Sequence, residues 1–326
     1  MRYTTLGKTS ERVSVIAVGT WQIGSREWGW GRGYGEEQVV QAIKRSVELG
    51  VNLIDTAEIY GGGRSEEIVG RAIKGIRDSV LIATKVWPTH ATYDGTIKAC
   101  ERSLRRLNVD VIDLYQVHWP NPLIPISSTM RAMERLVNEG KVRYIGVSNF
   151  SPSQLRRAQE SLKSQEIVSN QVKYNLLERK AAEGVFSTFG DSITVLAYSP
   201  LAQGLLTGKY SVRRRPKDIV RGLNQLFDTT NLRRVEPLIQ KMRELAEKKG
   251  CDVSQIALRA LIERGKVVAI AGVKDENQAE LNALAAEVPL SPAEVDELFR
   301  TVRDIKLATL LPMVRTPLRM VAALTA

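Results

Sequence analysis

The sequence predicts an α/β fold, a closed (β/α)8 TIM barrel with an N-terminal hairpin cap and extra helices. Three observations predict it. Eight short β-branched runs alternate with longer amphipathic stretches, the pattern of a parallel sheet whose faces are covered by crossover helices. Eight strand-helix units are the count of a closed barrel, whose usual length of about 250 residues fits the chain once its ends are trimmed. The rival, a doubly wound open sheet, calls for a G-x-G-x-x-G turn after an early strand, and none follows VSVIAVG or VNLIDTA.

Taken in order, MRYTTLGKTSER reads as a hairpin or cap ahead of the first strand. The strands are VSVIAVG, VNLIDTA, VLIATKV, VIDLYQVH, RYIGVSN, IVSNQVKY, TVLAYSP and VVAIAGV. Between them EEQVVQAIKRSVELG, SEEIVGRAIKG, DGTIKACERSLRRLN, STMRAMERLVNEGK, SPSQLRRAQESL and a weaker AAEGVFSTFG carry the helical period. Ser65 with Glu67 nearby, and Ser151 followed by Pro152, mark helix starts. Residues 29–35, GWGRGYG, have the wrong spacing for a dinucleotide turn and read as a mobile surface loop. Residues 201–231 form a long loop with a basic run, Arg213 to Arg215, and loops of that length serve as lids or binding loops. EPLIQKMRELAEKKG, SQIALRALIERG and SPAEVDELFRTVRDI add later helices.

With 326 residues and 43% hydrophobic content the chain can bury a large core, and no linker composition divides it, so residues 1–326 read as a single domain. Residues 307–326 form an apolar C-terminal tail interrupted by Pro312, Arg315, Pro317 and Arg319, which reads as packing on its own domain or a partner rather than spanning a membrane. Lys+Arg 47 against Asp+Glu 36 gives a net +11, which suits an anionic partner or simply a basic soluble protein. No basic and aromatic patch marks specific nucleic-acid binding. Cys100 and Cys251 fall in helix-like patterns and read as packing residues of a reduced protein; with His90 and His118 the only histidines, no metal site is expected. The absence of a leader and of a spanning run points to the cytoplasm. A homo-oligomer is left open.

Strand after strand ends on a polar residue: Asp55, Lys85, His118, Ser148 with Asn149, Gln171, and Tyr198 with Ser199. Tyr60 follows Asp55 closely, with three glycines directly behind it. Each has a structural alternative, since Asp55 could cap a turn, Lys85 reach solvent, and Ser148 with Asn149 cap a helix. In a parallel barrel, however, all these ends meet at the rim that carries the active site. A carboxylate, an ammonium, an imidazole and a phenol there make a proton donor. An ammonium about 4 Å from a phenol, at an effective dielectric near 20, favours the phenolate by about 4 kcal/mol, or roughly three pKa units before desolvation. Lys85 can act so on Tyr60, Asp55 can hold Lys85 charged, and His118 can donate to a substrate oxygen. The set suits a carbonyl that gains a proton while another group delivers hydride.

LIDTAEIYG with SEEIVG, ATK, YQVHWP, GKVRYIGVSNF, NQVKYNLL and AYSPLAQGLLTGKY, in this order and spacing, resemble the aldo-keto reductase superfamily over nearly the whole chain. The resemblance implies a (β/α)8 barrel, an NADPH (NADP+) cofactor held without a Rossmann motif, and reversible reduction of a small carbonyl substrate. It implies Asp55, Tyr60, Lys85 and His118 as a catalytic tetrad, with Asp55 also at the cofactor. Ser148, Asn149 and Gln171 match the ligands of the nicotinamide carboxamide, Tyr198 the aromatic stacked on its ring, and Ser199 with Leu201 the pyrophosphate contact. Gly19, Thr20 and Trp21 match the first rim turn, while Gly272, Lys274, Gln278 and Asn282 match the segment around the adenosine phosphate. Ala271 and Leu281 depart from the family pattern, which bears on adenine binding. Trp21, Trp28, Trp30, Trp87 and Trp119 fall on or near rim loops, where they could line an apolar pocket. The alternative is a cofactor-binding regulatory subunit of the same fold, resembling potassium-channel β subunits; the complete tetrad favours the enzyme.

Overall fold

The computed structural model describes residues 1–308. The chain opens with an antiparallel hairpin, β1 (Tyr3–Thr5) and β2 (Arg12–Ser14). Leu6 in its turn is buried with Ala17, Leu53, Leu114 and Leu196 inside the barrel. Gly7 sits at φ +57°, and a Cβ there would lie 2.9 Å from the Val168 backbone, so the turn can approach this closely only as glycine. The Gly7 N–H donates to Thr194 Oγ1 (2.7 Å) and its carbonyl accepts from Lys266 Nζ (2.8 Å). Both partners stand at strand starts, so the hairpin is a cap over the N-terminal end of the barrel.

The eight β-branched runs become parallel strands: β3 (Ile16–Gly19), β4 (Leu53–Asp55), β5 (Leu81–Val86), β6 (Ile112–Val117), β7 (Val142–Ser148), β8 (Ile167–Lys173), β9 (Thr194–Tyr198) and β10 (Val267–Gly272). The sheet closes because β10 pairs with both β9 and β3. Its register sets Gly272 beside Gly19, Gly19 beside Asp55 and Ser148 beside Gln171, which brings the C-terminal ends to one rim. Side chains alternate across each strand: Leu114 fills the interior, while Tyr115 and Val117 join the larger core between sheet and helices.

That outer layer comprises α1 (Glu36–Glu48), α2 (Arg64–Ala72), α3 (Tyr93–Leu107), α4 (Ile126–Asn138), α5 (Pro152–Glu160), α6 (Lys180–Phe189), α9 (Val253–Ile262) and α10 (Glu276–Leu284). Their apolar faces meet the strands, as Met130, Met133 and Leu136 of α4 do. The start of α5 is as expected, since Ser151 and Gln154 form a reciprocal capping box before Pro152. Ser65 is not a cap. α2 begins at Arg64 on Gly63, and the buried Ser65 hydroxyl instead donates to Thr20 Oγ1 (2.8 Å).

Two loops carry more structure than the sequence suggests. Residues 29–35 expose Gly31, Arg32 and Gly33 as a surface loop does, but Tyr34 is buried, donates to the Gln22 carbonyl (2.7 Å) and meets Trp30 edge-on with centroids 5.5 Å apart. Residues 201–231 contain a 3-10 turn (Ala202–Thr207), the short α7 (Ile219–Gly222) and a second 3-10 turn (Gln225–Phe227). Leu226 and Phe227 are buried there in a separate cluster with Leu238, Met242, Ile256 and Phe299. α8 (Thr229–Lys249) begins seven residues before the expected Glu236, because Asp228 accepts from the Asn231 N–H (2.8 Å) and burial of Leu232, Val235 and Leu238 outweighs the missing N–H of Pro237. Cys251 falls in the turn after Gly250, outside any helix; Cys100 is buried in α3.

α11 (Pro292–Arg303) packs on α8 and completes that cluster. Beyond it Asn231 grips the chain through both ends of its amide, donating to the Ala308 carbonyl (3.0 Å) and accepting from the Ala308 N–H (2.7 Å). The rest of the expected apolar tail, residues 309–326, lies outside the described residues. Among the described residues no helix is long and apolar enough to cross a membrane, and no group of His, Cys, Asp and Glu could hold a metal ion.

Candidate active site

Asp55 ends β4 and Lys85 lies one residue from the end of β5, the adjacent strand. Lys85 is fully buried, and its Nζ donates to Asp55 Oδ1 (2.6 Å), the Thr56 carbonyl (2.8 Å) and the Tyr60 hydroxyl (3.4 Å). An ammonium has three protons, and three acceptors surround this one. Tyr60 opens a 3-10 turn in which Gly61 and Gly62 take φ of +56° and +65°. A Cβ on Gly61 would lie 2.9 Å from the Ile23 carbonyl, so the glycines fold the chain sharply enough to return the phenol over the barrel. His118, just past β6, meets Tyr60 edge-on at 5.6 Å and Trp87 edge-on at 5.1 Å.

Burial sets the charge states. It lowers the Lys85 pKa, a shift that the Asp55 carboxylate opposes. It pushes the Tyr60 phenol well above its ordinary value, with Asp55 and Tyr198 adding to the rise. The expected depression of the Tyr60 pKa by Lys85 is therefore not what this site shows: at neutral pH the phenol keeps its proton firmly. Burial, seconded by Lys85, also holds the His118 pKa well below the usual imidazole range, so the ring is neutral. Its Nδ1 is buried without a hydrogen-bond partner.

The next residues around the rim form a connected polar chain. Asp55 Oδ2 accepts from Gln171 Nε2 (2.7 Å) and Gln116 Nε2 (3.2 Å). Asn149, at φ +63°, donates to the His118 carbonyl (3.1 Å) and Ser148 Oγ (3.0 Å) and accepts from the Tyr198 hydroxyl (3.0 Å). Thr20 is buried and bonds the Asp55 carbonyl through its N–H (3.1 Å) and hydroxyl (2.9 Å), bracing the strand end beside Gly19. Trp21 is exposed and meets Trp28 edge-on at 5.0 Å. Ser199, at φ +52°, turns the chain out of β9, and the Leu201 carbonyl then accepts two backbone N–H groups of the following turn.

The residues at and after the end of β10 bond chiefly among themselves and to the first rim loop. Asn282 Nδ2 donates to the Gly272 carbonyl (3.2 Å), and Gln278 bonds Asp275 through its N–H (2.8 Å) and Nε2 (3.1 Å). Lys274 Nζ donates to the Trp28 carbonyl (2.9 Å) and lies 4.4 Å from the Tyr34 ring centroid. Leu281 has its carbonyl bonded by Gln255 Nε2 (3.1 Å).

Several side chains were missed in the sequence. Gln116 lies two residues after the inward-facing Leu114 of β6, a period-two signal that could have found it. Glu58 is buried and accepts from the Trp87 N–H (2.7 Å) and Arg102 (3.2 Å), with His90 at 3.0 Å. Lys209 and Arg221 belong to a loop without periodicity. Burial depresses both Lys209 and Lys274; Arg221 adds to each, and Lys209 adds to Lys274. The Arg221 guanidinium donates to the Gln203 carbonyl (2.7 Å) and Asp218 (2.8 Å) and covers the Trp28 ring at 4.8 Å.

Residues 15–302 match the model of the Aldo/keto reductase family. An uncharacterised oxidoreductase of Mycobacterium tuberculosis is 45% identical over 298 residues, 90% of this chain and 91% of that protein. Among solved structures, a glycerol dehydrogenase from Gluconobacter oxydans is 31% identical, covers 95% of this chain and 98% of its own, and has a TM-score of 0.83. An aldo/keto reductase from Klebsiella pneumoniae in complex with NADP and acetate is 30% identical, covers 95% and 100% of the two chains, and has a TM-score of 0.75.

Proposed function

The chain belongs to the aldo/keto reductase family, and on that premise we propose that it is an NADP(H)-dependent oxidoreductase that reduces aldehydes or ketones to alcohols with Tyr60 as general acid. The observation that carries this reading is the buried Lys85 ammonium, seated between the Asp55 carboxylate and the Tyr60 hydroxyl at 2.6 and 3.4 Å.

The donor set fits the cofactor. Burial depresses both Lys209 and Lys274, Arg221 adds to each and Lys209 adds to Lys274, with Asp218 opposing; a polyanion would favour the charged form of both lysines. Gly272, Lys274, Gln278 and Asn282 would hold the adenosine phosphate, Ser199 and Leu201 the pyrophosphate, Ser148, Asn149 and Gln171 the nicotinamide carboxamide, and Tyr198 would offer its ring to the nicotinamide. Gly19, Thr20 and Trp21 form the first rim turn beside them. Bound there, the cofactor supplies hydride. The protein does the rest. His118, neutral, orients a carbonyl oxygen by an N–H; Tyr60 passes its proton to that oxygen; Lys85 stabilises the phenolate left behind; and Asp55 keeps Lys85 charged. Trp87, edge-on to His118, supplies an apolar wall that keeps water from the reacting atoms.

NADPH consumption measured across a panel of aldehydes, ketones and dicarbonyls, and NADP+ reduction with polyols, tests this. Turnover of at least one carbonyl class is expected. Tight NADPH binding with no turnover on any of them would favour the regulatory-subunit reading instead.

A further inference from the structure

Gln116 has no part in the proposed reaction, yet it is fully buried beneath the tetrad. Its Nε2 donates to Asp55 Oδ2 (3.2 Å), and its Oε1 lies 3.5 Å from Gln171 Nε2, which itself donates to Asp55 Oδ2 (2.7 Å). A carboxylate only accepts, so both amides must turn their NH2 groups toward Asp55. Gln171 is then left with its carbonyl Oε1 as the end available to a ligand. The neighbouring strand makes room for this arrangement: a Cβ on Gly146 of β7 would lie 2.9 Å from Gln116 Cγ and 2.6 Å from Ser169 Oγ. A buried amide is costly unless it is bonded, and an apolar side chain of the same volume would fill the space without that cost.

From this geometry we infer that Gln116 is a positioning residue that locks the amide of Gln171 onto Asp55, presenting Gln171 Oε1 to the carboxamide of a bound nicotinamide. The inference rests on the NADP(H) reading above. It makes one carboxylate the anchor both for the Lys85 ammonium, through Oδ1, and for the nicotinamide end of the site, through Oδ2. The proton-donating and hydride-donating halves of the site then share a common support drawn from β4, β5, β6 and β8.

Gln116→Met keeps the volume and removes both polar atoms. Titration of protein fluorescence should show NADPH affinity reduced about tenfold, the scale of a lost hydrogen bond to a charged group. Affinity for adenosine 2′,5′-bisphosphate, which has no nicotinamide, should be unchanged. Gln171→Met should show the same split, and the double variant should lose little more than either alone, because the two amides act as one unit. Equal losses for NADPH and the bisphosphate, or fully additive losses in the double variant, would overturn the assignment. Should Gln116→Met fail to fold, Gln116→Asn retains an amide but withdraws it by one methylene; unchanged NADPH affinity in that variant would also overturn it. A wild-type protein that does not bind NADPH would defeat the functional reading as well, whereas unchanged NADPH affinity in Gln116→Met defeats this inference alone.

Discussion

At the scale of single residues, the proposed mechanism asks the site to keep neutral what must carry a proton and charged what must stabilise its loss. Tyr60 lies against a cation, yet burial dominates and its pKa rises. Such a phenol is an unwilling acid in the resting site, so under the proposed mechanism its proton would transfer only to a carbonyl oxygen gaining negative charge. Tyr60→Phe should therefore lower turnover by roughly 10²–10⁴-fold, the usual worth of a positioned acid, while the dissociation constant for NADPH stays close to that of the wild type. A variant retaining most of its activity would remove Tyr60 from that role. The pH profile carries a second signature. His118 has its pKa held well below 6.5, so it stays neutral on both sides of the ordinary imidazole range. Hence kcat/KM for reduction should run flat from about pH 6 to 8, and decline only on the alkaline side, where the Lys85 and Tyr60 pair begins to lose protons. An inflection near the free imidazole pKa that disappears in His118→Asn would show that the ring is charged in the working enzyme.

Among the elements, strands were far more legible than loops, for a physical reason. Buried parallel strands must be β-branched and continuous, and every strand run read from the sequence is a barrel strand. Strand ends were legible too, because a polar residue closing an apolar run is conspicuous: Asp55, Lys85, His118, Asn149 and Gln171 do converge. Gln116 escaped although it pairs in register with Lys85, because His118 two residues on reads as the polar end of that run, and Ser65 misled because a buried hydroxyl and a capping hydroxyl look alike in sequence. Residues 201–231 read only as a long loop serving as a cover, since isolated turns leave no period. Their structure shows a fastening. Arg221 ties the Gln203 carbonyl, Asp218 and the face of Trp28 together, and so joins this segment to the first rim loop. The exposed run Arg213 to Arg215 lies within it. Trypsin should cut there slowly in the wild type, more slowly with saturating NADPH, and several-fold faster in Arg221→Ala. Equal cutting rates with and without NADPH would dismiss the segment as a cover over the cofactor.

For the molecule as a whole, the net charge of +11 and the barrel rim pull in the same direction. Composition alone left the charge ambiguous between a general basic surface and an anionic ligand, because a count carries no positions. The fold resolves part of it by gathering cations: beyond burial, Arg221 lowers the pKa of both Lys209 and Lys274, and Lys209 that of Lys274. NADPH differs from NADH by a phosphate carrying about −1.5 to −2 charges, so it should gain more from this field. Lys274 offers a point charge rather than the bidentate grip of an arginine. A charge-assisted bond of about 1.5–3 kcal/mol corresponds to a preference for NADPH of roughly tenfold to a hundredfold. Salt separates the contributions. Raising ionic strength from about 0.01 to 0.15 M shortens the screening length from roughly 30 to 8 Å, so kcat/KM should fall more steeply for NADPH than for NADH. Lys274→Ala should raise KM for NADPH, leave that for NADH nearly unmoved, and narrow the gap between the two salt slopes. Parallel slopes in the wild type would mean that the cluster does not sense the extra phosphate, and equal losses for both cofactors in Lys274→Ala would assign that lysine to fastening Trp28 rather than to choosing the cofactor.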